Sequence, residues 1–170
     1  QKCSTSTFVH LTSSMWLTLD PANAYDAVDA ILVGNVYETL VTFKGLDPKA
    51  GFAPFLSEQV PTRENGLLFE DRRTYVFPIR KGVRFHEGGE LTAEDARYSL
   101  LRYMLIDSDG GPSALFLKPI LGVYRTRDDT GRIVVDFKQA AEAVRAEGDR
   151  LIIRLKEPDS AFLSLLASIP

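Results

Sequence analysis

The chain has 170 residues, 45% of them hydrophobic and 25% charged, the make-up of a folded domain rather than of a disordered segment. Lys and Arg number 20 against 23 Asp and Glu, a formal charge of −3 that gives no bulk electrostatic reason to bind nucleic acid. One cysteine excludes an intrachain disulfide framework and any Cys-rich zinc module.

The length fits one ordinary domain, or one domain with a piece of another. Residues 7–12 alternate in a β-rich pattern and predict a strand. Ser13 and Ser14 lead through Met15 and Trp16 to Leu19-Asp20-Pro21, where Asp-Pro starts a turn. Over 25–40, Val28, Ile31, Leu32, Val36 and Leu40 form one stripe of an amphipathic helix that Asn23 or Asp26 would cap. Residues 40–43 read as a strand, and 52–60 are ambiguous because Pro54 argues against a central strand. Asn65-Gly66 marks a turn.

Residues 73–80 predict a strand with Tyr75, Phe77 and Ile79 on one face and Pro78 near an edge or bulge. Lys81-Gly82 then turns and 83–85 returns, which predicts a hairpin over 74–85. Glu87-Gly88-Gly89 is a further turn. Thr92 caps the next helix, with Asp95 three residues on as an Asp version of the capping box. Its stripe of Ala96, Leu100, Tyr103 and Met104 runs to about Ile106. Residues 107–112 break the pattern, 113–117 form a short helical turn or loop, and 123–127 are a candidate strand. Strong helix formers over 139–147 predict a helix ended by Gly148. Residues 151–156 alternate as a strand, and 160–167 start a last helix.

The longest purely apolar stretches, such as 30–33 and 151–153, fall far short of the roughly 20 residues that cross a bilayer. No basic start precedes an apolar core, so the leader of an exported chain would have been removed or lie outside this sequence. Cys3 admits a lipid anchor, but Gln1 and Lys2 match the residues before a lipidated cysteine poorly. Residues 107–111 resemble a calcium loop only briefly, since Gly110 and Lys118 stand at the wrong positions. His10 and His86 with Cys3 are too few for a zinc or nickel centre, so neither a metal nor a cofactor is expected. There is no Gly-x-Ser-x-Gly elbow and no carboxylate pair of telling spacing, which disfavours a peptide hydrolase. Arg80, Lys81 and Arg84 read as a solvated hairpin. Met15 and Trp16 follow a predicted strand end, where open sheets place their ligand clefts; a satellite core beneath the next helix is the rival reading.

The stretch 75–102 is more specific. Its Arg80, Lys81, Gly82, Phe85, His86, Gly88, Leu91, Thr92, Ala93, Glu94, Asp95, Tyr98 and Ser99 resemble the signature of the family 5 extracellular solute-binding proteins, the receptors of peptide and nickel ABC importers. Glu87 stands where that family has Asp, and Pro78 is an unusual choice. The resemblance extends to Thr18-Leu-Asp-Pro21, to 36–41 and to 151–166, and is weakest over 127–149.

The resemblance implies an α/β fold of the type II periplasmic-binding-protein kind, here an N-terminal fragment with mixed sheet, β-hairpins and flanking helices. Residues 1–45 would start lobe one, and 46–170 would form a small extra subdomain and begin the return into lobe one. The second lobe would be absent. It further implies a monomer outside the cytoplasmic membrane, periplasmic or extracellular, that captures an oligopeptide or dipeptide and docks on a membrane permease without chemistry. A nickel chelate, haem or an oligosaccharide is the alternative cargo. The expected ligand-lining residues are Ser13, Ser14, Met15 and Trp16, with Ser113 and Phe116 after the signature helix.

Overall fold

Residues 74–78 carry Tyr, Val and Phe in succession, and both faces of the strand they form are buried. A computed structural model describes residues 15–45, 47–107 and 111–169; the predicted strand at 7–12 lies outside them. The elements run α1 (Ala27–Val36), β1 (Val41–Phe43), β2 (Phe52–Pro54), β3 (Thr74–Pro78), α2 (Ala93–Ile106), α3 (Ala114–Leu121), α4 (Phe137–Ala143), β4 (Val144–Glu147), β5 (Arg150–Arg154) and α5 (Phe162–Ser168). Among the described residues β1 and β2 form a two-stranded antiparallel pair, and the other sheet has the order β3-β5-β4.

β5 is the central strand. It pairs antiparallel with β3, Thr74 opposite Arg154 and Pro78 opposite Arg150, and with β4, Val144 opposite Ile153 and Glu147 opposite Arg150. Phe77, Val144, Leu151 and Ile153 are fully buried where these strands meet. α2 packs on β4 and β5, and Arg97 Nε donates to the Val144 carbonyl at 3.0 Å, tying the helix to the edge strand. One apolar cluster joins this sheet to Met104 of α2, Phe116 and Leu117 of α3, Phe162 of α5 and Val41 of β1. The β1–β2 hairpin spans residue 45, and its first strand packs on α5.

Several elements differ from the sequence expectation. No hairpin forms over 74–85, because both edges of β3 are taken. β5 holds one, and residues 67–69 hold the other through Val76 N to the Leu67 carbonyl at 2.8 Å and Phe69 N to the Thr74 carbonyl at 3.0 Å. Residues 83–91 instead fold back on themselves about Gly88 and Gly89, with Leu91 N donating to the Val83 carbonyl at 2.8 Å. The helix expected over 139–147 stops at Ala143 and becomes β4. Its residues differ in helix propensity by only a few tenths of a kcal/mol, whereas burying Val144 against β5 is worth about 1.5–3 kcal/mol. Gly148 (φ 63°) then serves a two-residue hairpin turn rather than a helix cap. Residues 123–127 hold an isolated bridge, Arg127 to Ile133, instead of a strand. The Asp107 carboxylate accepts from Thr126 N and Oγ1, and the Asp128 carboxylate orders the turn between the bridge residues.

α1 is also shorter than its apolar pattern. It ends where Tyr37 turns extended, and the residues it buries are Asp29 and Val33 rather than the stripe through Ile31 and Val36. A helix apolar on most sides gives periodicity little power to pick a face.

α2 is as expected. The Thr92 hydroxyl accepts from Asp95 N, and Asp95 Oδ2 accepts from Thr92 N at 2.9 Å, a closed capping box. Thr92→Ala should lower stability by about 1 kcal/mol, read as a shift of the urea midpoint at unchanged slope; no shift would mean that the box contributes nothing to the fold.

Candidate functional site

The expected ligand residues fall into two groups with different surroundings. Ser13 and Ser14 lie outside the described residues. Met15 is 84% exposed and Trp16 58%. They lead into a stretch without helix or strand up to the Asp20 turn. Two carboxylates hold that stretch. Asp29 Oδ1 in the first turn of α1 accepts from Leu17 N at 2.8 Å. Asp20 receives both Arg102 nitrogens, Nη1 on Oδ1 at 2.6 Å and Nη2 on Oδ2 at 2.5 Å, a bidentate pair between the turn and α2. Asp20 also accepts from Ala22 N at 3.1 Å and Asn23 Nδ2 at 2.9 Å.

Hydrogen bonding from the Arg102 guanidinium holds the Asp20 carboxyl below its ordinary value, with partial burial working against it. The same bond raises Arg102. Beside this pair, Tyr98, Leu101, Leu105 and Ile106 line a shallow, open and mostly apolar depression along α2.

Ser113 and Phe116 lie elsewhere. Ser113 is fully buried at the start of α3, and its Oγ donates to the Tyr103 carbonyl at 2.9 Å. Phe116 is buried with its ring edge-on to Tyr103 (centroids 5.3 Å apart) and to Phe162 (6.2 Å). Both side chains are taken up by the core between α2, α3 and α5, and as arranged neither presents a surface to a ligand. Tyr103 sits in the same apolar surroundings, and burial pushes its phenol well above the usual range. His86 is exposed. Among the described residues no three His, Cys, Asp or Glu side chains are grouped to hold a metal ion, and no helix is long and apolar enough to cross a membrane.

Residue patterns alone do not single out Asp29 or the Asp20–Arg102 pair. The available signal for Asp29 was its spacing of four from Val33 inside an apolar helix, which puts a carboxylate on the buried side.

Residues 67–170 match the family model of the bacterial extracellular solute-binding proteins, family 5 middle region. The chain belongs to this family. Curated relatives include the glutathione-binding protein GsiB of Escherichia coli K12, 24% identical over 154 residues, and that of Salmonella typhi, 26% identical. Each match covers 91% of this chain and 24% of the relative, so the chain spans about a quarter of their length. Among solved structures, the pheromone receptor PrgZ superposes with a TM-score of 0.64 at 26% identity, covering 89% of this chain and 28% of that one. Listeria monocytogenes OppA bound to peptide gives 0.65 at 22%, with the same coverage. The fold is that of type II periplasmic binding proteins, in a mixed α/β arrangement. The family is an extracellular one, and its members are solute-binding proteins rather than enzymes. In this family 5 chain the signature 75–102 takes in most of β3, the 83–91 turn and α2 as far as Arg102, the residue that holds the Asp20 turn.

Two outcomes follow from this geometry. Phe116→Ala should cost about 3–5 kcal/mol in chemical unfolding, the usual price of a buried aromatic; a loss below about 0.5 kcal/mol, typical of a surface position, would show that the ring is not a core residue. Because the folded Asp20 carboxyl is lowered, the pair stabilises the protein above the ordinary carboxyl value of 3.8. That contribution is lost as pH falls through the depressed folded value. Asp20→Asn should therefore lower the melting temperature at pH 7 and show a smaller further drop than wild type between about pH 4 and 2. Parallel curves for the two proteins would mean that the pair contributes nothing.

Proposed function

We propose that this chain is part of the substrate-binding component of an ABC importer, which captures peptides outside the cytoplasmic membrane and delivers them to a membrane permease without chemical turnover. The family match carries the reading. It is supported by relatives named for binding the tripeptide glutathione and by a similar receptor described by its mode of peptide binding. In such a receptor an extended peptide is held largely through its backbone, so that side-chain preference is loose, and two lobes close over it about a hinge.

On this reading residues 1–45 begin lobe one, 46–170 form its small extra subdomain and begin the return into lobe one, and the opposing lobe is made of sequence outside these 170 residues. α1 supports the reading that further chain covers this face. Its composition is that of a helix covered on both sides, yet Ile31 and Val36 are 55% and 47% exposed. The ligand-contacting segment is 13–16, with Met15 and Trp16 offering side chains to the cleft. Ser113 and Phe116 enter as supports of the α2–α3 packing. The protein acts as a monomer, and Cys3 is a free thiol or the attachment point of a lipid, which mass spectrometry of the native protein would distinguish.

The test is calorimetry with glutathione and a di- to pentapeptide mixture, on the full natural gene product and on the 170-residue chain. The gene product should show saturable micromolar binding. The chain supplies one side of the site, and losing about 4 kcal/mol of contact weakens binding by about a thousandfold. Millimolar or weaker affinity is therefore expected of it. Micromolar binding by the chain alone would overturn the two-lobe reading. Peptide cleavage, or saturable binding of a metal chelate or sugar with none of peptide, would overturn the proposed function.

A further inference from the structure

α1 and α2 both carry Asp at the third helical position, and the two carboxylates do different things. In α2, Asp95 turns back to its own cap and accepts from Thr92 N, the usual task of an acidic group there. In α1 the cap is complete without Asp29, because Asp26 Oδ1 accepts from both Val28 N (2.9 Å) and Asp29 N (3.0 Å). The Asp29 carboxylate reaches away from its helix to Leu17 N, twelve residues back. It does so from a position only 1% exposed.

Burying a carboxylate is costly unless it is hydrogen-bonded. Two features offset that cost: the charge-assisted bond to Leu17 and the positive end of the α1 dipole. Apolar packing holds the segment only weakly, since Met15 and Leu17 are 84% and 81% exposed and Trp16 58%. The next polar tie along the chain is at Asp20, where the turn and Arg102 take over.

We propose that Asp29 is a positioning residue of the ligand-binding segment: its buried carboxylate fixes the backbone of Leu17 on the first turn of α1, and so sets the direction in which Met15 and Trp16 leave the surface. The inference rests on the reading above that 13–16 contacts ligand. The Leu17 N–H is oriented by a rigid helix terminus, while the Trp16 and Leu17 side chains stay largely exposed. A bound peptide then meets a backbone already in place, and less ordering is left to be done at binding.

Trp16 is the only tryptophan in the sequence, so its fluorescence reports on this segment alone. Asp29→Ala and Asp29→Asn are compared by Trp16 anisotropy, by hydrogen exchange at the Leu17 amide and by the unfolding midpoint. Asp29→Ala should speed Leu17 exchange at least tenfold and lower the anisotropy, while Asp29→Asn, which keeps an acceptor oxygen, should recover most of both. Should Asp29→Ala fail to fold, Asp29→Ser replaces it, being polar but too short to reach Leu17. Unchanged Leu17 exchange and Trp16 anisotropy in a folded Ala or Ser variant would overturn the proposal. In the full gene product, Asp29→Ala should bind glutathione or the peptide mixture at least tenfold more weakly than wild type, with Asp29→Asn between them. Wild-type binding matched by Asp29→Ala would overturn the role of Asp29 and leave the site reading standing. A wild type that binds no peptide would overturn the site reading, and the ligand role with it, whatever the amide exchange shows.

Discussion

The pairing of β3 with β5 joins residues 74–78 to 150–154, and most of the described chain depends on it. Bringing together strands so far apart in sequence costs loop-closure entropy, but the cost grows only slowly with loop length. Burial of Phe77, Leu151 and Ile153 at the junction brings about 1.5–3 kcal/mol for each side chain. Once β5 is in place, β4 follows through the two-residue turn at Gly148. The pair of strands then gives α2 a surface to lie on, and Arg97 fastens it there. α2 in turn presents Arg102 to Asp20. The segment that carries Met15 and Trp16 thus reaches the core through two polar ties, one to α2 and one to α1.

What was legible in the sequence was local chemistry. The Thr92–Asp95 box, the Asn65-Gly66 turn and the Gly88-Gly89 turn each depend on residues within a few positions of one another, and each is present as read. Pro78 stands at the last position of its strand, where its missing N–H disturbs the ladder least. Most of the failures are of partnership. Arg145, Ala146 and Glu147 are good helix formers in isolation, and pairing with β5, where Leu151 and Ile153 stand opposite, makes 144–147 a strand. Gly148 fits a helix end and a hairpin turn equally well, since both use its positive φ. Residues 83–85 have the alternation of a return strand, but β3 had no open edge to offer them.

The candidate site shows the same division. A small polar residue followed three positions later by an aromatic, as in Ser113 and Phe116, looks alike on a cleft wall and inside a core. The Tyr103 carbonyl and the Phe162 ring that claim them are distant in sequence or set by the α2–α3 crossing. Asp29 was hidden for the opposite reason. An acidic residue in the first turn of a helix is explained by the dipole alone, and its bond to a backbone N–H twelve residues away has no sequence signature.

The residues that identify the family and those proposed to touch ligand are separated in the same way. Gly82, Thr92 and Asp95 belong to turns and caps, where few residue types satisfy the backbone, so the pattern is specific for structural reasons alone. A binding segment has a different requirement. Its backbone must be ordered beforehand while its side chains remain uncovered, and apolar packing cannot meet both conditions, because it orders a segment by burying it. Hydrogen bonds to the main chain can. At Leu17 the N–H is held by a buried carboxylate while the side chain is almost wholly exposed. Two aspartates, one paired with Arg102 and one placed at a helix N-terminus, thus hold 17–20 by hydrogen bonds while Met15 and Trp16 remain exposed.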